Sequence, residues 1–280
     1  MLRVISALFI GCLACSLPAQ GASTPARIVV AGGALTEIVY AVGSGSAVVG
    51  VDQTTTYPPE TQTLAKVSHW QQLNVDGMLS LQPSLVMTWQ DAQPQAALDQ
   101  LRQAGVQVAL FQRTPSTPQQ LIGTIRQAAN LLQKVEQGEA LIAQINADLQ
   151  RVHQLTAAQK TPVKVLFLLS VAGSGAMVAG KNTVADGMIA LAGGENMATH
   201  PQYRPYGGES MIAADPEVIV VTSQSIAGGL DTLAAVPGIT HTRAWRQQRI
   251  VAIDQALVLG MGPRVAHAVQ ALSAGFYPGP

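Results

Sequence analysis

The chain has 280 residues, with 16 Lys+Arg against 16 Asp+Glu, so its formal net charge is zero and it offers no basic footprint for a nucleic-acid backbone or an anionic membrane surface. Hydrophobic residues make up 48% and charged residues only 11%, the reverse of the composition that leaves a chain disordered. That length holds one large or two modest globular domains.

Residues 1–21 read as a secretory signal peptide. Arg3 is a minimal basic start, residues 4–17 form an apolar core interrupted by Ser6, Gly11 and Ser16, and Ala19-Gln20-Gly21 is a small-x-small cleavage site. The apolar run falls short of the ~20 residues that a bilayer core requires. Leu13-Ala14-Cys15 is a poor lipoprotein signal, because Cys12 stands where an apolar residue is needed three before Cys15. Cleavage after Gly21 removes both Cys12 and Cys15, leaving an exported chain with no disulfide, thiolate metal site or thiol nucleophile.

Short β-branched runs then recur at 27–30, 47–51, 85–88 and 106–111, separated by segments of helical spacing. This alternation builds a parallel α/β sheet. Thr117-Pro118-Gln119-Gln120 is a capping box with Pro at the first helical position, followed by Leu121, Ile125, Ala128 and Leu132 on one face. Leu141, Ile145, Leu149 and Val152 extend the period, so one long helix is expected over 118–153, with Gly138 as a candidate break. A second strand series follows at 163–169, 218–222 and 250–253. The expected organisation is a lobe over 22–117, a helical connecting segment over 118–160 and a second lobe over 161–280.

The two lobes echo one another. Asp76 precedes Pro83 by seven residues and Glu209 precedes Pro216 by seven; a Met follows each acid by two, Met78 and Met211. An acid in the first turn of a short helix is common, but that preference does not produce matched offsets.

Motifs for catalysis are weak. Gly175 to Lys181 has the spacing of a phosphate loop, yet Asn182 stands where Ser or Thr would hold magnesium. Neither Ser44 nor Ser174 lies in a Gly-x-Ser-x-Gly elbow. There is no His-Glu-x-x-His.

Several stretches carry a resemblance. Ala31-Gly32-Gly33-Ala34-Leu35-Thr36-Glu37-Ile38, Val49-Gly50-Val51-Asp52 and Tyr57-Pro58-Pro59-Glu60 resemble the first lobe of periplasmic binding proteins that serve ABC importers of haem, cobalamin and iron-siderophores. Leu73-Asn74-Val75-Asp76-Gly77-Met78, Met177-Val178-Ala179-Gly180-Lys181-Asn182-Thr183, Tyr203-Arg204-Pro205-Tyr206 and Gly260-Met261-Gly262-Pro263-Arg264 resemble the haem branch in particular. The resemblance implies two Rossmann-like α/β lobes, each with a central parallel sheet, joined by one long helix with the ligand cleft between them. It implies a periplasmic monomer with haem as transported ligand and no catalytic cofactor, delivering to an inner-membrane ABC permease with its ATPase. Asp76 and Glu209 fall where that family pairs with permease arginines, although the family places the longer Glu at the first position.

The same resemblance puts His69 where the haem branch carries an axial Tyr, and Gln71 where it carries an Arg two residues on. Losing both is chemically coherent, because a tyrosinate benefits from a nearby cation whereas neutral imidazole ligates iron without one. Tyr57 and Tyr206 are the competing anchors. Trp70 and Trp89 are candidates to pack on a porphyrin or to fill the core. Lys181, Arg204 and Arg264 are candidates for propionate pairing, while His153, His200, His241 and His267 have no framing motif. The rivals are a corrinoid or iron-siderophore on the same fold, and a secreted α/β enzyme using Lys181 or Asp186.

Overall fold

The structure, a computed structural model, describes residues 26–156, 161–172 and 175–278. The expected signal peptide, both cysteines and Ser174 lie outside the described residues.

The first lobe is built on strands β1 (Ile28–Ala31), β2 (Val48–Val51), β3 (Ala65–Lys66), β6 (Leu85–Trp89) and β7 (Gln107–Phe111), in the order β3-β2-β1-β6-β7. Between β3 and β6 a small hairpin of β4 (Ser68–His69) and β5 (Gln72–Leu73) stands apart as its own two-stranded sheet. All pairings in the main sheet are parallel. β1 and β6 are buried at every position, which is why they read as near-continuous apolar runs, the one polar residue, Thr88, donating to Ala31 O at 3.0 Å: helices cover both faces of the sheet.

The second sheet uses β8 (Val163–Ala172), β9 (Gly175–Ala179), β10 (Gly194–Asn196), β11 (Tyr203–Tyr206), β12 (Val218–Thr222) and β13 (Ile250–Ile253). Here the expected parallel sheet is corrected to a mixed one. β8, β12 and β13 are parallel, as is β10 on β8, but β9 runs antiparallel to both β8 and β11. Only two residues separate β8 from β9, too few for the crossover that a parallel neighbour needs. The segment with phosphate-loop spacing is therefore strand, and Thr183 caps the helix Val184–Leu191 by accepting the Asp186 amide at 3.1 Å.

The connector also differs from expectation. Residues 118–153 form two helices, Pro118–Leu131 and Val135–Thr156, and the one long helix is the second, 22 residues or about 33 Å. The first is N-capped by Thr117, which accepts the Gln120 amide at 3.1 Å, but the reciprocal half of the expected capping box is missing: the Thr117 N–H donates to Pro115 O at 3.1 Å and the Gln120 side chain donates to Gln112 O at 3.1 Å. The chain breaks at Gln133, which takes a left-handed φ of 56°. Gly138 is not the break. It is the crossing point, where an added Cβ would lie 2.5 Å from Ala129 Cβ. Arg126 clasps Glu139 across the same crossing. Gly138→Ala is thus expected to destabilise the protein even though Ala gains about 1 kcal/mol in helix propensity, because overpacking costs about 1–3 kcal/mol. Thermal melts should show the loss, and Ala129→Gly should restore it.

One apolar core runs through Leu35 and Ile38 of the first lobe, Ile125 and Ile145 of the connector, and Phe167 and Phe276 of the second lobe. Each lobe adds a core on its other sheet face. Met78 packs with Val29, Val86 and Leu98 there, and Met211 with Leu166, Ile219 and Val221. The matched methionines of the echo thus anchor the helices Val75–Leu79 and Gly208–Ala214, while Asp76 and Glu209 remain exposed at their starts.

Candidate ligand cleft

Both sheets turn the carboxyl ends of their strands toward a shared cavity of about 490 Å³, in the size range of small-molecule sites. Ligands of open α/β sheets bind outside those strand ends, where the strand order reverses. In the first lobe the reversal falls between β1 and β6, and Gly33 and Trp89 from the ends of those strands line the cavity. Gly32 has φ 151°, and a Cβ there would lie 2.6 Å from the Trp89 indole nitrogen, so only glycine allows the ring to lie against the chain. From the second lobe come Leu169 within β8, Gln224 after β12 and Gln255 after β13, together with Val184 and Tyr203.

A buried carboxylate organises the floor. Asp52, at the end of β2, is fully buried. It accepts hydroxyl bonds from Thr54 at 2.8 and 2.9 Å and from Thr55 at 3.1 Å, while Gly33 N donates to Thr54 Oγ1 at 3.0 Å. Burial lifts the Asp52 carboxyl above its usual range, against those hydroxyls, the nearby His69 and the Trp70 amide that donates to it. Trp70 is thereby tied to the floor. Gln93 holds the other side of the hairpin, donating to Trp70 O at 2.9 Å and accepting from Leu73 N at 2.7 Å.

That hairpin presents His69, Trp70 and Gln71 to the cavity. The His69 and Trp70 rings stack at 5.6 Å with 28° between planes, and Gln71 N–H donates to His69 Nδ1 at 3.1 Å. Behind them Arg113, just past β7, lays its guanidinium 4.9 Å from the centre of the Trp70 ring and pairs with Asp91 at 2.7 Å. Tyr203 faces the cavity from the second lobe; burial raises its phenol, while the Arg113 charge and a bond with Thr183 oppose the rise.

The lobes also meet directly at one end of the cleft. Arg264 forms a two-pronged pair with buried Glu37, Nε to Oε2 at 2.9 Å and Nη2 to Oε1 at 2.6 Å, and its guanidinium sits 4.1 Å from the Tyr57 ring centre.

Three of the expected ligand contacts, His69, Trp70 and Gln71, line the cavity, and Trp89 both lines it and is buried. Four do not line it. Tyr57 carries Arg264, Lys181 pairs with Asp186 at 3.3 Å, Arg204 is exposed on edge strand β11, and Tyr206 packs edge-on against His200. Arg264, too, is committed to Glu37. The sequence reading missed Arg113 and Tyr203, as well as the glutamines Gln53, Gln202, Gln224 and Gln255. Arg113 had a signal: it follows a parallel strand at its carboxyl end. Among the described residues no cluster of His, Cys, Asp or Glu could hold a bare metal ion, and no helix is long and apolar enough to cross a membrane.

A model of the periplasmic binding protein family matches residues 28–257. Among solved structures, the periplasmic haem-binding protein from Roseiflexus sp. RS-1 in apo form is 39% identical with a TM-score of 0.86, covering 91% of this chain and 98% of that one. The periplasmic haem-binding protein of Vibrio cholerae is 34% identical with a TM-score of 0.80, covering 91% of this chain and all of that one (100%). Among curated proteins, the vitamin B12-binding protein of Photorhabdus laumondii is 24% identical over 252 residues, 89% of this chain and 87% of the relative.

Proposed function

The chain belongs to the periplasmic binding protein family, and from that premise we propose that it captures haem in the periplasm and hands it to an inner-membrane ABC permease. The observation that carries the reading is His69, held beside Trp70 on a pinned hairpin at the mouth of an interlobe cleft. Imidazole is an axial haem ligand, and an indole face packs well on a flat macrocycle. The two relatives named above that are most similar in structure are haem-binding proteins. A secretory leader over residues 1–21 supplies the export, and the work is binding and release rather than catalysis.

One observation favours a second reading. Five glutamines, Gln53, Gln71, Gln202, Gln224 and Gln255, line the cavity, and neutral amides complement the amide-fringed edge of a corrinoid. Arg113 argues for haem, because its charge finds carboxylates on haem and none on that edge. Titration of the exported chain with hemin is expected to give a Soret band at saturation, and cyanocobalamin is expected not to compete. Competition by cyanocobalamin with no Soret shift would reverse the assignment.

Asp76 and Glu209 are the proposed permease contacts, one on each lobe, exposed on helices that Met78 and Met211 fix in place. The double variant Asp76→Ala/Glu209→Ala is expected to lose most of its stimulation of transporter ATPase while hemin affinity stays unchanged. A collapse of hemin affinity would place the acids in the pocket instead.

A further inference from the structure

We infer that Arg113 is the anion anchor of the cleft and takes a carboxylate of the bound ligand, which for haem is a propionate; this rests on the proposed function. Among the residues lining the cavity Arg113 is the only Arg or Lys. Of the three bases that sequence alone made equally eligible, Lys181 and Arg264 spend their charge on Asp186 and Glu37, and Arg204 lies exposed on edge strand β11, outside the cavity lining. Arg113 does not spend all of its own. A guanidinium has five N–H donors, and Asp91 takes Nη2 at 2.7 Å while keeping about half of its own side chain in water, 51% exposed. The Nε–H is buried with no acceptor at all. An incoming carboxylate that reaches the guanidinium from the cavity therefore gains the charge together with the N–H donors that Asp91 leaves free.

The setting also fixes where the carboxylate sits. The Trp70 ring beneath the guanidinium and the Asp91 bond at its end hold Arg113 in one orientation, which reduces the entropy lost when a ligand arrives. His69 lies on the same hairpin, stacked on the same indole. A macrocycle ligated by His69 and packed on Trp70 therefore brings its acidic edge to Arg113, and the ligand's orientation in the cleft is set by that pairing.

The test compares hemin with hemin dimethyl ester, whose propionates are neutral. Arg113→Gln is expected to weaken hemin binding by about tenfold or more, as charged hydrogen bonds do when removed, and to leave the dimethyl ester within about twofold of wild type. The ferric spectrum of the bound state should not move. Arg113→Lys should recover part of the hemin affinity, since it restores charge without the fork. Equal losses for both porphyrins would mean that Arg113 acts by packing on Trp70, and no loss for either would mean that it does not touch the ligand; each overturns the inference while the haem assignment stands. Wild-type protein that binds neither porphyrin overturns the function, and the inference falls with it.

Discussion

His69→Ala is expected to abolish the imidazole-type ferric spectrum of the haem complex and to lower hemin affinity by at least about a hundredfold, more than loss of an outer-sphere partner would cause. The apo geometry adds a condition. Gln71 N–H donates to His69 Nδ1, so that nitrogen's lone pair is occupied and the neutral ring carries its proton on Nε2. Iron must either take Nδ1 after that bond breaks or take Nε2 after the proton moves to Nδ1, where it would oppose the Gln71 N–H. Both routes end the hydrogen bond. The Gln71 amide is therefore expected to lose protection from hydrogen exchange when hemin binds, and Gln71→Ala, which keeps the backbone donor, should change little. His69→Tyr should move the spectrum toward phenolate charge transfer. Tyr57→Phe and Tyr206→Phe, both outside the cavity lining, should be silent. Tyr203→Phe is the stringent control, because its phenol does line the cavity. If Tyr203→Phe removes ligation while His69→Ala keeps it, the axial ligand comes from the second lobe and the assignment to His69 is wrong.

Local chemistry was the part of this molecule that linear order could reveal. β1, β6 and β12 are largely apolar, β-branched runs bounded by turns, and they are readable because burial on both faces leaves no charged residue inside them, only the threonines Thr88 and Thr222. The Thr117 cap was readable because its partners lie within one turn. β9 is not legible as a strand because Gly175-Ala176-Met177-Val178-Ala179 has small residues at loop-like spacing, and its strand character comes from two neighbours, β8 and β11, that the segment itself does not announce. Gly138 drew the helix break because glycine is the commonest breaker, whereas the real break falls on Leu132-Gln133-Lys134, none of them turn-formers. The cleft divides in the same way. His69, Trp70 and Gln71 are consecutive and were found together. Arg113 and Tyr203 are 90 residues apart and meet only through the packing of two lobes. The bases were the hardest to place, because a lone Lys or Arg in a sequence says nothing about the acid that has already claimed it. Glu37 did leave a trace: it is the one charge in the apolar helix Gly33–Ala41, and a charge on a buried face requires a partner.

That partner carries the second large effect. Arg264→Ala is expected to destabilise the protein by about 3 kcal/mol near neutral pH, because it leaves the Glu37 carboxylate buried without its counter-charge. The loss should depend on pH. Burial holds the Glu37 carboxyl above its ordinary range, outweighing the two bonds from Arg264; Arg264 stays charged throughout, so only Glu37 titrates. In wild type the folded state therefore binds the Glu37 proton more readily than the unfolded chain does, and the contribution of this group to stability grows as pH falls through that raised value. Without Arg264 the carboxyl rises further, and once protonated it needs no cation. The deficit in melting temperature should be largest at neutral pH and should narrow in mild acid; a deficit that is flat with pH would show that Arg264 acts through the Tyr57 contact rather than through Glu37. Glu37→Leu/Arg264→Met removes both charges and should sit close to wild type in stability, since apolar replacements of a buried pair are often neutral. It should still differ in hemin release. The fork between Glu37 and Arg264 is a directional contact holding the helix of one lobe to the helix start of the other, and an apolar pair of similar volume imposes no such register. The double variant is expected to bind hemin at equilibrium nearly as well and to release it faster to apo-myoglobin. Unchanged release would mean that the connector helices alone hold the lobes in register.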